Sequence, residues 1–135
     1  MQHFCGDYYT LCEEYYRLVG DVARKTKADI IGHFDLITKY NGNNQFFDTQ
    51  KQRYVSAYLS AAKELAEYNV PFEINTGVII RGYKDVPYPH EEIIKELVSM
   101  GAKFVLSSDA HKPSHIAYGF EKYSKWAKTL GVQII

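Results

Sequence analysis

The stretch "FVLSSDAHKP", residues 104–113, opens like a buried strand and closes on a carboxylate and an imidazole two residues apart. Residues 104–108 are apolar or small, a short run bounded by polar residues, as a strand covered on both faces requires. On its N-terminal side, Pro89, Glu91 and Glu92 open a predicted helix that carries Ile93, Ile94, Leu97 and Val98, and Gly101 stands at its C′ position. On its C-terminal side, "HIAYGFEKYSKWAKTLG" reads as a helix and "VQII" as a further strand. The same alternation continues toward the N-terminus. "PFEINTG" reads as a strand, and "TQKQRYVSAYLSAAKELAEYN" as a helix with Tyr54, Val55, Tyr58, Leu59, Ala62, Leu65 and Ala66 on one side. "ADIIGHF" reads as a short buried strand, and "DYYTLCEEYYRLVGDVARKT" as a helix with Asp7 as its N-cap. Strands alternating with helices of this length predict an α/β fold of parallel βα units, either an open doubly wound sheet or part of a barrel.

The polar residues fall at equivalent places in that pattern. His33 follows "DIIG", Glu73 and Asn75 lie in and after "PF", and Asp109 and His111 follow "FVLSS". Each set sits at or just past the C-terminal end of a predicted strand, the edge at which α/β folds bind ligands. Asp109 and His111, one residue apart, would point the same way on a continuing strand. A carboxylate beside an imidazole suits a borderline divalent metal such as Zn²⁺, Mn²⁺ or Fe²⁺, and equally a general-base pair. The plain alternative is a capping Asp109 and a surface His111. "GHFD" repeats the spacing with His33 and Asp35, and Asp35 reads as a carboxylate that orients an imidazole. Glu73 is either a ligand or a buried ion-pair partner. "EINTGVIIRGYKDVPYP" is a long connection, of the kind that often carries function, and Arg81 is its one arginine. Its guanidinium fork suits phosphate oxygens, and its plain alternative is an exposed pair with Asp85. His3, His90 and His115 read as ordinary loop and helix-start residues, and the tyrosine pairs Tyr8–Tyr9 and Tyr15–Tyr16 as helix packing.

The bulk numbers narrow the partners. With 16 basic and 16 acidic side chains the formal charge is zero, which removes the broad electrostatic attraction on which non-specific nucleic-acid binding depends. A chain of 135 residues is long enough for one hydrophobic core. Cys5 and Cys12 on one helix would stand about two turns apart, too far for a disulfide. The first residues, "MQHFCGDYY", lack the basic start and apolar run of a signal peptide, and no stretch approaches a membrane span. A cytoplasmic protein with no nucleic-acid or membrane partner is expected.

"DIIGHFDLITKYN", "FEINTGVIIRG" with "PYP", and "GAKFVLSSDAHKPSHIAYGF" resemble, in that order, the later motifs of the PHP (polymerase and histidinol phosphatase) family, in its histidinol-phosphatase branch. The resemblance runs over residues 7 to 131. It implies part of a distorted (β/α)7 TIM-like barrel, three to four βα units, with a centre of two or three metal ions at the C-terminal rim. By position it implies His33, Asp109 and His111 as metal ligands, with Asp109 and His111 also in the catalytic centre. Arg81 becomes a phosphate contact, Lys112 a second one, and Asp35, Glu73 and Asn75 supporting residues. The implied cofactors are Zn, Mn or Fe ions, and the implied substrate is a small phosphate monoester such as histidinol phosphate.

Members of this type open with an H-x-H strand and further His and Glu ligands that are absent from this sequence. The whole chain, 1–135, is therefore expected to be a single partial domain, the C-terminal half of such a protein. It would pair with a complementing N-terminal half or with another copy of itself. Two other readings stay open: an inactive half-barrel that serves as a binding or oligomerisation module, and a different metallohydrolase of PHP or amidohydrolase type.

Overall fold

The computed structural model describes residues 6–135, so Cys5 and His3 lie outside the described residues. Asp7 caps α1 (Tyr8–Gly20) as its sequence position predicts, its Oδ1 accepting from the Tyr9 N–H at 2.8 Å. Such a cap contributes about 1 kcal/mol. A short helix α2 (Val22–Thr26) follows, then a loop that runs to α3 (Gln52–Ala66). The tyrosine spacing in α1 and α3 brings one face of each helix together. Cys12 and Tyr16 from α1, and Tyr54, Tyr58, Ala61 and Leu65 from α3, are all buried. The hydroxyls of Tyr16 and Tyr54 lie 2.9 Å apart, so each gives the other the partner that a buried phenol needs.

Three strands form one parallel sheet in the order β1 (Phe72–Asn75), β2 (Lys103–Ser107), β3 (Gln133–Ile134). Phe72 pairs with Phe104, Asn75 with Ser107, and Phe104 with Ile134. Helices α4 (Gly77–Ile80) and α5 (Glu91–Ser99) connect β1 to β2, and α6 (Phe120–Thr129) connects β2 to β3. Leu65, Phe72, Ile74, Ile94, Leu97 and Phe104 are buried in the shared core. The Phe72 ring stands 5.6 Å from that of Phe34 and 6.2 Å from that of Phe104. Glu91 and Glu92 occupy the first turn of α5, where negative charge is favoured, and Gly101 takes the left-handed φ of +80° past its end.

Three expected elements are divided or shorter. The helix expected over "DYYTLCEEYYRLVGDVARKT" breaks at Asp21 into α1 and α2. "ADIIGHF" forms a single parallel bridge, Ile31 to Phe72, because the backbone turns to φ +50° at His33 and leaves the ladder. The last helix begins at Phe120 and not at His115. Residues 113–115 make one tight turn, and Ala117 and Gly119 both take positive φ, which breaks any continuous helix. Among the described residues no helix is long and apolar enough to cross a membrane.

Candidate active site

The C-terminal ends of the Ile31 bridge, β1 and β2 deliver His33, Glu73, Asn75 and the Ser108–His111 turn to one place. The support starts at Gly77. A Cβ there would lie 2.0 Å from the carbonyl oxygen of Ser108, so only glycine lets the start of α4 sit against the end of β2. The Gly77 N–H donates to Asn75 Oδ1 at 2.9 Å, and Asn75 Nδ2 donates to Glu73 Oε1 at 3.0 Å. Glu73 Oε2 accepts from the His33 backbone N–H at 2.9 Å and lies 3.2 Å from its Nδ1. Tyr15 holds the same turn from below, its hydroxyl donating to the His33 and Phe34 carbonyls at 3.1 Å.

Electrostatics follow from this line of contacts. Burial pushes the Glu73 carboxyl up, but hydrogen bonds from the His33 imidazole, the Ser107 hydroxyl and the His33 amide outweigh it and hold the group at about 2. His33 is pushed up, first by its hydrogen bond to Glu73, against a smaller opposing effect of burial. Glu73 is thus the ion-pair partner of His33, and the pairing turns Nδ1 inward and leaves Nε2 facing the cavity.

On that side His33 Nε2 stands 3.5 Å from Asp109 Oδ2, and His111 Nε2 stands 3.6 Å from Asp109 Oδ1. The expected continuing strand is not what aligns this pair: β2 ends at Ser107 and Asp109 takes φ +43°. Arg81 closes the group. Its Nη1 donates to the Asp109 carbonyl at 2.6 Å and its Nη2 to Oδ2 at 2.9 Å, with 17% of its side chain exposed. The exposed pair with Asp85 is therefore ruled out, because the one-turn helix α4 points Arg81 back at the end of β2. The backbone of Tyr88 exchanges two hydrogen bonds with Asn75, at 2.8 and 3.1 Å, and so ties the far end of this long connection to β1.

A cavity of about 280 Å³ lies over these side chains, with His33, Lys39, Arg81, Tyr83, Asp109 and His111 in its wall. A larger one, about 460 Å³, lies between α3 and the start of α5 and contains none of His33, Arg81, Asp109 or His111. The smaller cavity is the one with the chemistry. Two expected residues lie away from it. Lys112 is exposed and absent from its wall. Asp35 is fully buried, and its Oδ2 accepts from the backbone N–H of His90, the residue ahead of α5, at 3.0 Å rather than from an imidazole, the orienting role expected of it. Burial pushes the Asp35 carboxyl up, against the opposing charge of Lys84, and burial pushes Lys84 down. Lys39 and Tyr83 were not singled out from the sequence.

A divalent metal at this site would draw on His33, Asp109 and His111. Among the described residues no three His, Cys, Asp or Glu side chains close round one point as a finished metal site does. The chemistry of the set nevertheless fits: two imidazole Nε2 atoms flank one carboxylate. Each imidazole faces a different oxygen of it, His33 Nε2 at 3.5 Å from Oδ2 and His111 Nε2 at 3.6 Å from Oδ1. Glu73 behind His33 is the carboxylate that metal-ligating histidines commonly carry.

No protein-family model matches the chain. Two curated proteins are similar to it. The "Probable histidinol-phosphatase" of Schizosaccharomyces pombe is 25% identical over 134 residues, 98% of this chain and 43% of that protein. The "Probable histidinol-phosphatase" of Deinococcus radiodurans is 30% identical over 121 residues, 90% of this chain and 43% of that protein. The chain spans less than half the length of the relatives it matches.

Proposed function

We propose that the chain carries part of the active site of a metal-dependent phosphatase of the histidinol-phosphate type, on a portion of a PHP-like barrel. The observation that supports this best is the convergence of Arg81, His33 and His111 on Asp109 at the strand ends, beside a cavity sized for a small molecule. In this reading His33, Asp109 and His111 would hold a Zn, Mn or Fe ion, which would supply Lewis acidity toward a phosphoryl oxygen. Glu73, steadied by Asn75, keeps the His33 ring turned so that Nε2 faces the cavity. Arg81 holds Asp109 in place and presents its remaining N–H donors toward a phosphate monoester. The names borne by the relatives support histidinol phosphate as the substrate.

The described sheet is open beyond Ile31 on one side and beyond β3 on the other. A complementing N-terminal segment, or a second copy, is the proposed partner along those edges.

The test combines this chain with the N-terminal portion of the Schizosaccharomyces pombe relative, with Mn²⁺ or Zn²⁺ added. Release of phosphate from histidinol phosphate, abolished by Asp109→Ala, is the expected result. The chain alone should take up metal sub-stoichiometrically and lose it in the Asp109→Ala, His111→Ala double variant. Metal retained by that double variant refutes the ligand assignment. Metal and phosphate uptake without turnover in the complemented protein identifies a binding module and refutes the enzyme reading.

A further inference from the structure

If the cavity receives a phosphate, as proposed above, Arg81 is a poorer phosphate ligand than its sequence position suggests. Two of its nitrogens are already engaged by the carbonyl and carboxylate of Asp109, which also offsets its charge. A dianion entering the cavity needs a cation without a carboxylate of its own. Lys39 is in that condition. It is half-buried, it lies in the cavity wall, and among the described residues it forms no ion pair. Its Nζ rests 4.1 Å from the centre of the Tyr83 ring and 5.2 Å from that of Tyr40, and the two rings meet edge to face at 6.1 Å.

The rings hold the ammonium without neutralising it. A cation–π contact at a partly exposed site is weak beside a charge-assisted hydrogen bond to a phosphate oxygen, so the ammonium can be exchanged from ring to ligand. The backbone that carries Lys39 is fixed. The turn Leu36–Thr38 ends at Lys39, the Lys39 N–H donates to the Leu36 carbonyl at 2.9 Å, and Lys84 Nζ donates to Thr38 Oγ1 at 2.7 Å. We infer that Lys39, presented by the Tyr40–Tyr83 pair, is the phosphate-binding cation of this cavity, in the role that its sequence position suggested for Lys112.

The experiment titrates the chain with inorganic phosphate, following its backbone amides by NMR, for the parent and for Lys39→Met, Lys39→Gln, Lys112→Met, Arg81→Met and Lys103→Met. Lys103 lies at the opposite end of β2 and serves as the control for general charge loss. Both Lys39 variants should weaken phosphate binding by roughly ten- to a hundredfold, the loss of one charge-assisted hydrogen bond. Lys112→Met and Lys103→Met should leave it within about twofold. Tyr83→Leu, which frees the ammonium without removing it, should produce a smaller loss.

If Lys39→Met binds phosphate as the parent does while Arg81→Met does not, the Lys39 assignment is wrong and the phosphate site stands. If Lys112→Met is the variant that fails, the sequence position was the better guide. A parent chain that takes up no phosphate overturns this inference together with the reading on which it rests.

Discussion

Arg81→Met removes a bridge that holds one residue at two points. Arg81 Nη1 and Nη2 reach the carbonyl and the carboxylate of Asp109 at 2.6 and 2.9 Å. Asp109 needs holding, because a non-glycine residue at φ +43° costs about 1 kcal/mol relative to ordinary backbone. A hydrogen bond involving a charged group contributes about 1.5–3 kcal/mol. Asp109 is 34% exposed, so water recovers part of what its carboxylate loses. The net expectation is a loss of about 2 kcal/mol in Arg81→Met. For a domain of this size that lowers the melting temperature by about 6–10 °C. Arg81→Lys should do little better, since one ammonium cannot span both acceptors. Asp109→Asn keeps the backbone bond and should lose about 1 kcal/mol. Urea unfolding, followed by far-UV circular dichroism and by the fluorescence of Trp126, gives the four corners of a double-mutant cycle. Coupling between Arg81→Met and Asp109→Asn should be about 1 kcal/mol. Additive losses, or an Arg81→Met variant as stable as the parent, would show that the bridge does not hold the turn.

Gly77→Ala places a Cβ against the Ser108 carbonyl, which is backbone and cannot rotate aside. It should cost at least about 3 kcal/mol or prevent folding, and a melting temperature equal to the parent's would mean that α4 and β2 are not in this contact. The Asp7 carboxyl is held at about 2, below its usual 3.8, first by the Arg53 side chain and then by the Thr10 hydroxyl. Because the folded value is the lower one, its contribution is fully present above about pH 4 and disappears as the pH falls toward 2. The parent should therefore lose more stability over that interval than Asp7→Asn, which keeps the cap without the charge; parallel pH profiles would refute the pairing.

The sequence was most informative where periodicity and strand-end polarity agreed. Helices α1, α3 and α5, with Asp7 at one end and Gly101 at the other, follow from apolar spacing and capping chemistry, which are local. Strands β1 and β2, and the delivery of Glu73, Asn75 and Asp109 to one edge, follow from short apolar runs that end on polar residues. What escaped depends on backbone turns that propensity does not encode. Positive φ at His33 ends a strand after a single bridge, and positive φ at Asp109, where a continuing strand was expected, sets the carboxylate between two imidazoles. For the ion pair of Arg81, sequence distance favours the near neighbour Asp85. The ion-pair partner of Arg81 is not the nearby Asp85 but Asp109, 28 residues away, brought close by the parallel pairing of β1 with β2. Lys39 escaped because nothing in "LITKY" distinguishes a lysine on a tyrosine ring from one in water.

Asp109 sets a condition on any ligand of this cavity. Three nitrogen groups face its carboxylate, and only Arg81, at 2.9 Å, is within hydrogen-bond distance; the imidazoles stand off at 3.5 and 3.6 Å. A phosphate about 5 Å from an ionised carboxylate meets a repulsion of about 3 kcal/mol for each unit of its charge, at an effective dielectric constant near 20. Arg81 cannot offset that in full while it remains the counter-ion of Asp109. Further positive charge facing the phosphate at this edge would offset that repulsion and strengthen binding. In the proposed reading a divalent ion held beside the imidazoles would bring two units of it. Lys39, in the wall of the same cavity and in no ion pair among the described residues, is the part of that charge that the chain itself supplies.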